Sequence, residues 1–201
     1  MNNVEKIFDK DPAKFASSYF DYLHKILKGI DKNQIVEFVN TLLGARERGA
    51  TVFFIGNGGS ASTASHFAND LVIGTKTERK HFRVVALTDN NAVITAIGND
   101  FGYDDIFDRQ IKALGKPGDV VVAISASGNS PNLVKAFDTA STMDIKTVAL
   151  TAFDGGKLRL MADQNLFVPT DMKEYGPAED AHLILNHIVV AYLMQALGAE
   201  D

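Results

Sequence analysis

Two stretches, FFIGNGGSAS at 53–62 and VVAISASGNSPN at 121–132, run from apolar, β-branched residues through glycines and serines into a helical pattern. A glycine-rich turn lets the backbone come close to a ligand, and the N-terminus of the next helix offers unpaired N–H groups and positive dipole charge, so an anion collects there. Gly58 and Gly59 supply that approach in the first loop, and Ser60, Ser125, Ser127 and Ser130 add hydroxyl donors. One hydroxyl is enough to cap a helix, and the second loop has three. The bland reading, a tight turn without a ligand, therefore suits the first loop alone better than the pair. Neither loop carries a lysine, which argues against Walker-type nucleoside triphosphate chemistry and for the phosphate of a sugar.

His66 and Asp70 lie four apart in the helical pattern after the first loop, so their side chains share a face beside the expected anion site. The pair can bind a metal, transfer protons, or simply form a local hydrogen bond. His182 and His187 lie five apart in the last helical pattern and point about 140° away from each other, which sets them in different surroundings. His187 is favoured for chemistry and His182 as a core or interface histidine, although periodicity does not choose between them. His24 and His81 carry no such context.

The elements that must position these groups are legible from pattern. Asp11 with Pro12 starts a helix whose apolar residues Phe15, Tyr19, Leu23, Ile26, Leu27 and Ile30 recur at helical spacing. Asp31 caps a second helix that ends at Gly49. Five short apolar strands follow, at 51–56, 83–87, 119–125, 146–151 and 165–169, alternating with helical patterns. Such strands imply a parallel sheet buried on both faces. The expected fold class is α/β, a three-layer, doubly wound, flavodoxin-like sandwich with N-terminal helices, whose ligands bind beyond the carboxyl ends of the strands. Residues 1–50 form a helical segment suited to oligomerisation and 51–197 the main domain, in one unit. Aromatic residues Phe15, Tyr19 and Phe38 are expected to face other subunits.

Composition sets bounds on partners. A formal net charge of −5 speaks against nucleic-acid binding by phosphate neutralisation. There is no cysteine, so a metal must use histidine, carboxylate or amide ligands. The first 30 residues lack a basic start followed by an apolar run, and no apolar stretch approaches a membrane span. A cytoplasmic protein with no membrane partner is expected.

Taken together, GNGGSAS-x(3)-HFA, TAIGNDFGYDDIF, ISASGNS and the terminal ED-AH-x(4)-H resemble the sugar isomerase (SIS) domain family, most closely its phosphoheptose isomerase branch. The resemblance runs from about residue 15 to 195. It implies a ketose–aldose isomerase that converts sedoheptulose 7-phosphate to D-glycero-D-manno-heptose 7-phosphate on the way to heptose for surface polysaccharide, working as a zinc-containing homotetramer. By the same resemblance Ser60, Ser125, Ser127 and Ser130 hold phosphate, with Asn57, Thr88 and Asp89 on the sugar chain. His66, Asp70, Glu179 and His187 take the metal and catalytic positions. The family generally has glutamate at the position of Asp70 and glutamine at that of Glu179, within an R-I-Q-E run that here reads Pro177-Ala178-Glu179-Asp180. Both replacements still ligate a hard or borderline cation.

Isomerisation takes a proton from C1, passes through an enediol(ate) and returns a proton to C2, so it needs a carboxylate-type base, a proton donor to oxygen and stabilisation of an oxyanion. Aspartate is one methylene shorter than glutamate; either Asp70 works from a shifted backbone or Glu179 takes over. Glu179 and His187, eight residues apart, would be separated by about 12 Å of rise in an unbroken helix. An irregular first turn after Gly176-Pro177, or ligands from neighbouring subunits, is therefore expected. The alternative from another class is a non-catalytic SIS regulator similar to the bacterial protein that binds the replication initiator. That branch typically lacks the groups corresponding to Asp70 and His187, and their presence here favours an enzyme.

Overall fold

The computed structural model describes residues 2–76 and 80–198. A single turn, α1 (Asn3–Lys6), precedes the long α2 (Pro12–Gly29), where Asp11 accepts the Ala13 N–H at 2.9 Å with Pro12 in the first turn. Asp31 caps α3 (Lys32–Arg48) in the same way, and Gly49 ends it in the left-handed conformation, φ 69°. These caps fall where the sequence predicts them.

Strands β1 (Thr51–Gly56), β2 (Arg83–Ala86), β3 (Val120–Ser125), β4 (Lys146–Thr151) and β5 (Gln164–Phe167) form one parallel sheet in the order β2-β1-β3-β4-β5. The chain leaves β1 toward one edge and β3 toward the other, so the switch point of the topology lies between these two neighbours, which pair from Val52↔Val120 to Gly56↔Ile124.

Alternation along each strand divides the core. Val52 and Phe54 face a layer built by α2, α3, α4 (Gly59–Asn69) and α9, the last helix (Tyr175–Gly198). Phe53 and Ile55 face the opposite layer. That layer holds α5 (Asn91–Asp100), α6 (Asp108–Leu114), α7 (Pro131–Thr142) and α8 (Gly156–Met161). Phe38 is wholly buried against Phe67, edge to face at 6.0 Å, and so cannot serve as the subunit-facing aromatic expected of it. The reason is that α3 turns its apolar stripe to the sheet. Phe8 and Phe20 are the well-exposed aromatics of the N-terminal segment instead.

Helix α9 is long and apolar enough to pass for a membrane span by length and composition, contrary to the expectation that no segment comes near one. One face of it is used within the fold: Ala178, Ala181, Leu185, Val189 and Leu193 are wholly buried between the sheet and its helical neighbours, while Ile188 and Tyr192 stay exposed. The start of α9 is tied to the N-terminal helices through Tyr19 Oη to Asp180 at 2.6 Å and the Asn3 N–H to Glu174 at 2.6 Å.

Candidate active site

The two glycine-serine loops leave the carboxyl ends of β1 and β3 and feed helices on opposite faces of the sheet, α4 on one and α7 on the other. Their N-termini meet at a cavity of about 170 Å³ lined by Asn57, Ser60, Ser125, Ser127, Ser130, Tyr175 and Glu179. Gly58 takes φ 56° at the entry to α4, a conformation that a side chain would strain. Ser125 Oγ accepts the Gly128 N–H at 3.1 Å, while Ser130 stands at the N-cap of α7 without a side-chain capping bond, which leaves its hydroxyl for another acceptor. Hydroxyls, two helix N-termini and a small cavity make an anion cradle.

Asn57 is held on this rim by a reciprocal amide pair with Asn132 (3.0 and 2.9 Å) and by the Tyr103 hydroxyl at 2.9 Å. Thr88 and Asp89 stand off the end of β2, outside the serine cavity. They join α4 through Ser65, whose Oγ lies 3.1 Å from Thr88 Oγ1 and donates to Asp89. Asn132, Tyr103, Tyr175 and Ser65 were not singled out by pattern. Asn132 ends the stretch VVAISASGNSPN and Tyr103 lies in GNDFGYDDIF, but neither side chain has a mark that separates it from its neighbours there.

Helices α4 and α9 run side by side in the same direction: the Glu179 carboxylate touches Gly59 at the start of α4, and His187 meets His66 two turns on. His66 Nε2 lies 3.3 Å from His187 Nε2 and 3.2 Å from Asp70 Oδ2, and the donor atoms of the three residues fall within 4.8 Å of one another. In a tetrahedral site with bonds of about 2.0–2.1 Å the edge between two ligands is about 3.3 Å, so both short separations suit one zinc-sized ion with a fourth position open. His66, Asp70 and His187 thus offer three donors of a kind that a zinc-sized ion accepts.

Asp70 stands at the end of α4, one turn beyond His66, with its N–H bonded to the His66 and Phe67 carbonyls. From Asp70 onward the α-helix gives way to a π-turn over Asp70–Gly74. Glu179 is placed otherwise than expected. Helix α9 runs unbroken from Tyr175 to Gly198 with Pro177 in its first turn, where a missing N–H does no harm. No irregular turn forms, and within one chain Glu179 lines the serine cavity while His187 stands about two turns farther along. Burial, reinforced by Asp180, pushes the Glu179 carboxyl above the usual carboxylate range.

His182 is wholly buried, as a core histidine should be, yet among the described residues neither ring nitrogen finds a partner in good hydrogen-bonding geometry. Desolvation lowers its pKa to about 4, with the Thr151 backbone pulling the other way.

A 2-1-3-4-5 parallel sheet with two serine-rich loops meeting at its switch point is the architecture of a SIS domain, and the profile of the SIS domain family matches residues 18–152. A phosphoheptose isomerase from Helicobacter pylori is 38% identical over 167 residues, 83% of this chain and 85% of that one. The structure of the phosphoheptose isomerase from Neisseria gonorrhoeae superposes with a TM-score of 0.79 at 32% identity, covering 89% of this chain and 96% of the other. That of a phosphoheptose isomerase from Francisella tularensis gives 0.81 at 28% identity, over 97% and 100%. The chain belongs to the phosphoheptose isomerase family and is an isomerase.

Proposed function

We propose that the protein interconverts sedoheptulose 7-phosphate and D-glycero-D-manno-heptose 7-phosphate through an enediol(ate). The observation that carries this reading is the length of the track between the anion cradle and the histidine–carboxylate cluster. Ser60 and His66 are six residues apart on α4, a rise of about 9 Å, and Glu179 and His187 are eight apart on α9, about 12 Å. A seven-carbon chain with its phosphate ester, at about 1.5 Å per bond in zigzag, spans on the order of 10 Å. With phosphate among Ser60, Ser125, Ser127 and Ser130, C1 and C2 come to His66, Asp70 and His187.

In this reading Asp70 is the base that takes the C1 proton and returns one at C2, and His187 moves the proton on oxygen. Glu179, at the cradle end of the track, is too far from C1 to take that role within one chain. Asn57, with Gly58 and Gly59 beside it, orients the substrate at the phosphate end, and Thr88 and Asp89 border its path. His66, Asp70 and His187 would hold Zn²⁺, which supplies Lewis-acid polarisation of the carbonyl.

We also propose a cytoplasmic homotetramer that serves heptose synthesis for surface polysaccharide. Supporting the assembly is an apolar groove between α3 and α9, lined by Ile35, Val36, Val39, Ile188 and Tyr192, with Ile188 next to His187. A second copy seated there would close the reacting end from water. Residues 1–50 supply helices for such contacts, and the mass in solution, four times 21.8 kDa, tests them by sedimentation.

The catalytic reading is tested by incubating purified protein, with and without zinc, with seven-, six- and five-carbon ketose phosphates and following products by NMR. Turnover of the seven-carbon substrate at least tenfold faster than the shorter ones is expected. Equal rates, or none, would overturn it.

A further inference from the structure

We propose that Asn186 is a positioning residue that fixes the carboxylate of Asp70 from across the α4–α9 seam. The inference rests on reading His66, Asp70 and His187 as the reacting cluster. Asn186 is wholly buried on α9, one turn after the buried His182 and among the apolar Leu185, Val189, Val190 and Leu193, at a position where asparagine is a poor helix former. Its Nδ2 donates to Asp70 Oδ2 at 2.9 Å, and its Oδ1 finds no partner among the described residues. Only the N–H side of an amide can face a carboxylate, so the orientation is set and the carbonyl oxygen is left stranded. Half-satisfied buried amides lower stability, so the contact to Asp70 is what this residue contributes in return.

The geometry explains what the contact does. Asp70 ends α4 and opens the π-turn with its N–H still bonded to the His66 and Phe67 carbonyls, so its backbone is held and the direction of its carboxylate is left to side-chain partners. The Oδ2 atom that receives Asn186 is the one facing His66 Nε2, and the other oxygen, Oδ1, accepts from Asn69 Nδ2 at 3.0 Å. Asn69 is exposed and next in sequence, whereas Asn186 is buried and comes from the helix that carries His187. A single amide on α9 thus registers the carboxylate of Asp70, just beyond α4, against the neighbouring histidine, so that the two move together.

The test uses Asn186→Leu, which fills the same space without the amide, and Asn186→Ala in case the larger side chain disturbs the seam. In otherwise intact protein we expect a thermal midpoint for Asn186→Leu equal to or above wild type. Zinc affinity, measured by competition with a chelator, should fall about tenfold, and kcat should fall ten- to a hundredfold with KM nearly unchanged. In an Asp70→Asn background the same change should do little more, because both substitutions remove one contact. A loss of kcat that tracks a fallen thermal midpoint, with zinc affinity intact and additive effects in the Asp70→Asn background, would make Asn186 a packing residue and overturn the inference. Wild type that binds zinc and turns over while Asn186→Leu matches it would defeat this inference alone. Wild type that does neither would defeat the catalytic reading and this inference with it.

Discussion

The carboxylate of Glu179 lies against Gly59, the first residue of α4, closer than any side chain on residue 59 would permit. A negative group therefore shares the helix N-terminus with whatever anion the serine loops hold. Gly59→Ala should push Glu179 aside into the serine cavity and weaken inhibition by inorganic phosphate about tenfold, roughly 1.4 kcal/mol. The double variant Gly59→Ala/Glu179→Gln should recover part of that loss. Calorimetric titration with phosphate reads both, and a Gly59→Ala protein that binds phosphate as wild type does would contradict the contact.

The same carboxylate sets a pH dependence. Its folded-state pKa is raised above the ordinary 4.5, first by burial and then by Asp180, so the fold favours the protonated form. That contribution is present below the ordinary value and is lost as pH rises through the raised one. Glu179→Gln should consequently melt above wild type at neutral pH, with the gap closing in acid. Thermal melts from about pH 4 to pH 8 check the sign, and a gap that widens in acid would reverse it.

His182 should act in the opposite sense. Its pKa is depressed to about 4 from 6.5, so the unfolded chain takes a proton before the folded one does, and stability falls as pH drops between those values. The loss is on the order of 3 kcal/mol at full extent. His182→Leu, which replaces two unpaired buried nitrogens by carbon, should flatten urea-unfolding stability over that window and leave it unchanged or higher at pH 7. Retention of the acid limb would place its origin elsewhere.

The serine loops and the histidine cluster should separate kinetically. Paired Ser125→Ala and Ser127→Ala changes remove hydroxyls from the cradle and should raise KM by about ten- to a hundredfold with a small change in kcat. His187→Ala should lower kcat by at least about a thousandfold and leave phosphate affinity nearly intact. Steady-state kinetics beside phosphate titration distinguish the two, and equal effects on both parameters from both variants would contradict the division.

Much of this was legible before the structure. Proline and aspartate at the start of α2, Gly49 at the end of α3 and the β-branched runs of β1, β3 and β4 speak through local propensity, which needs no tertiary partner. The glycine-serine loops spoke for the same reason. What escaped depended on partners far along the chain. Phe38 matched a surface stripe as well as a core one, and only docking on the sheet decides between them. A π-turn at Asp70 has no compositional mark, and Asn186 looks like a polar break in an apolar row until Asp70 stands opposite. The irregular turn expected at Glu179 follows only if Glu179 and His187, eight residues apart, must share one metal within a chain; α9 runs unbroken through Pro177 in its first turn and keeps them apart.

Proton transfer at His66, Asp70 and His187, at the far end of a phosphate-anchored sugar, is best tested by running the reaction in D2O. Sedoheptulose 7-phosphate should yield an aldose 7-phosphate carrying deuterium at C2, seen by loss of the C2 proton signal in NMR, and His187→Ala should form almost none. An aldose formed by wild type with no solvent deuterium, even at equilibrium, or formed equally well by His187→Ala, would contradict the assignment.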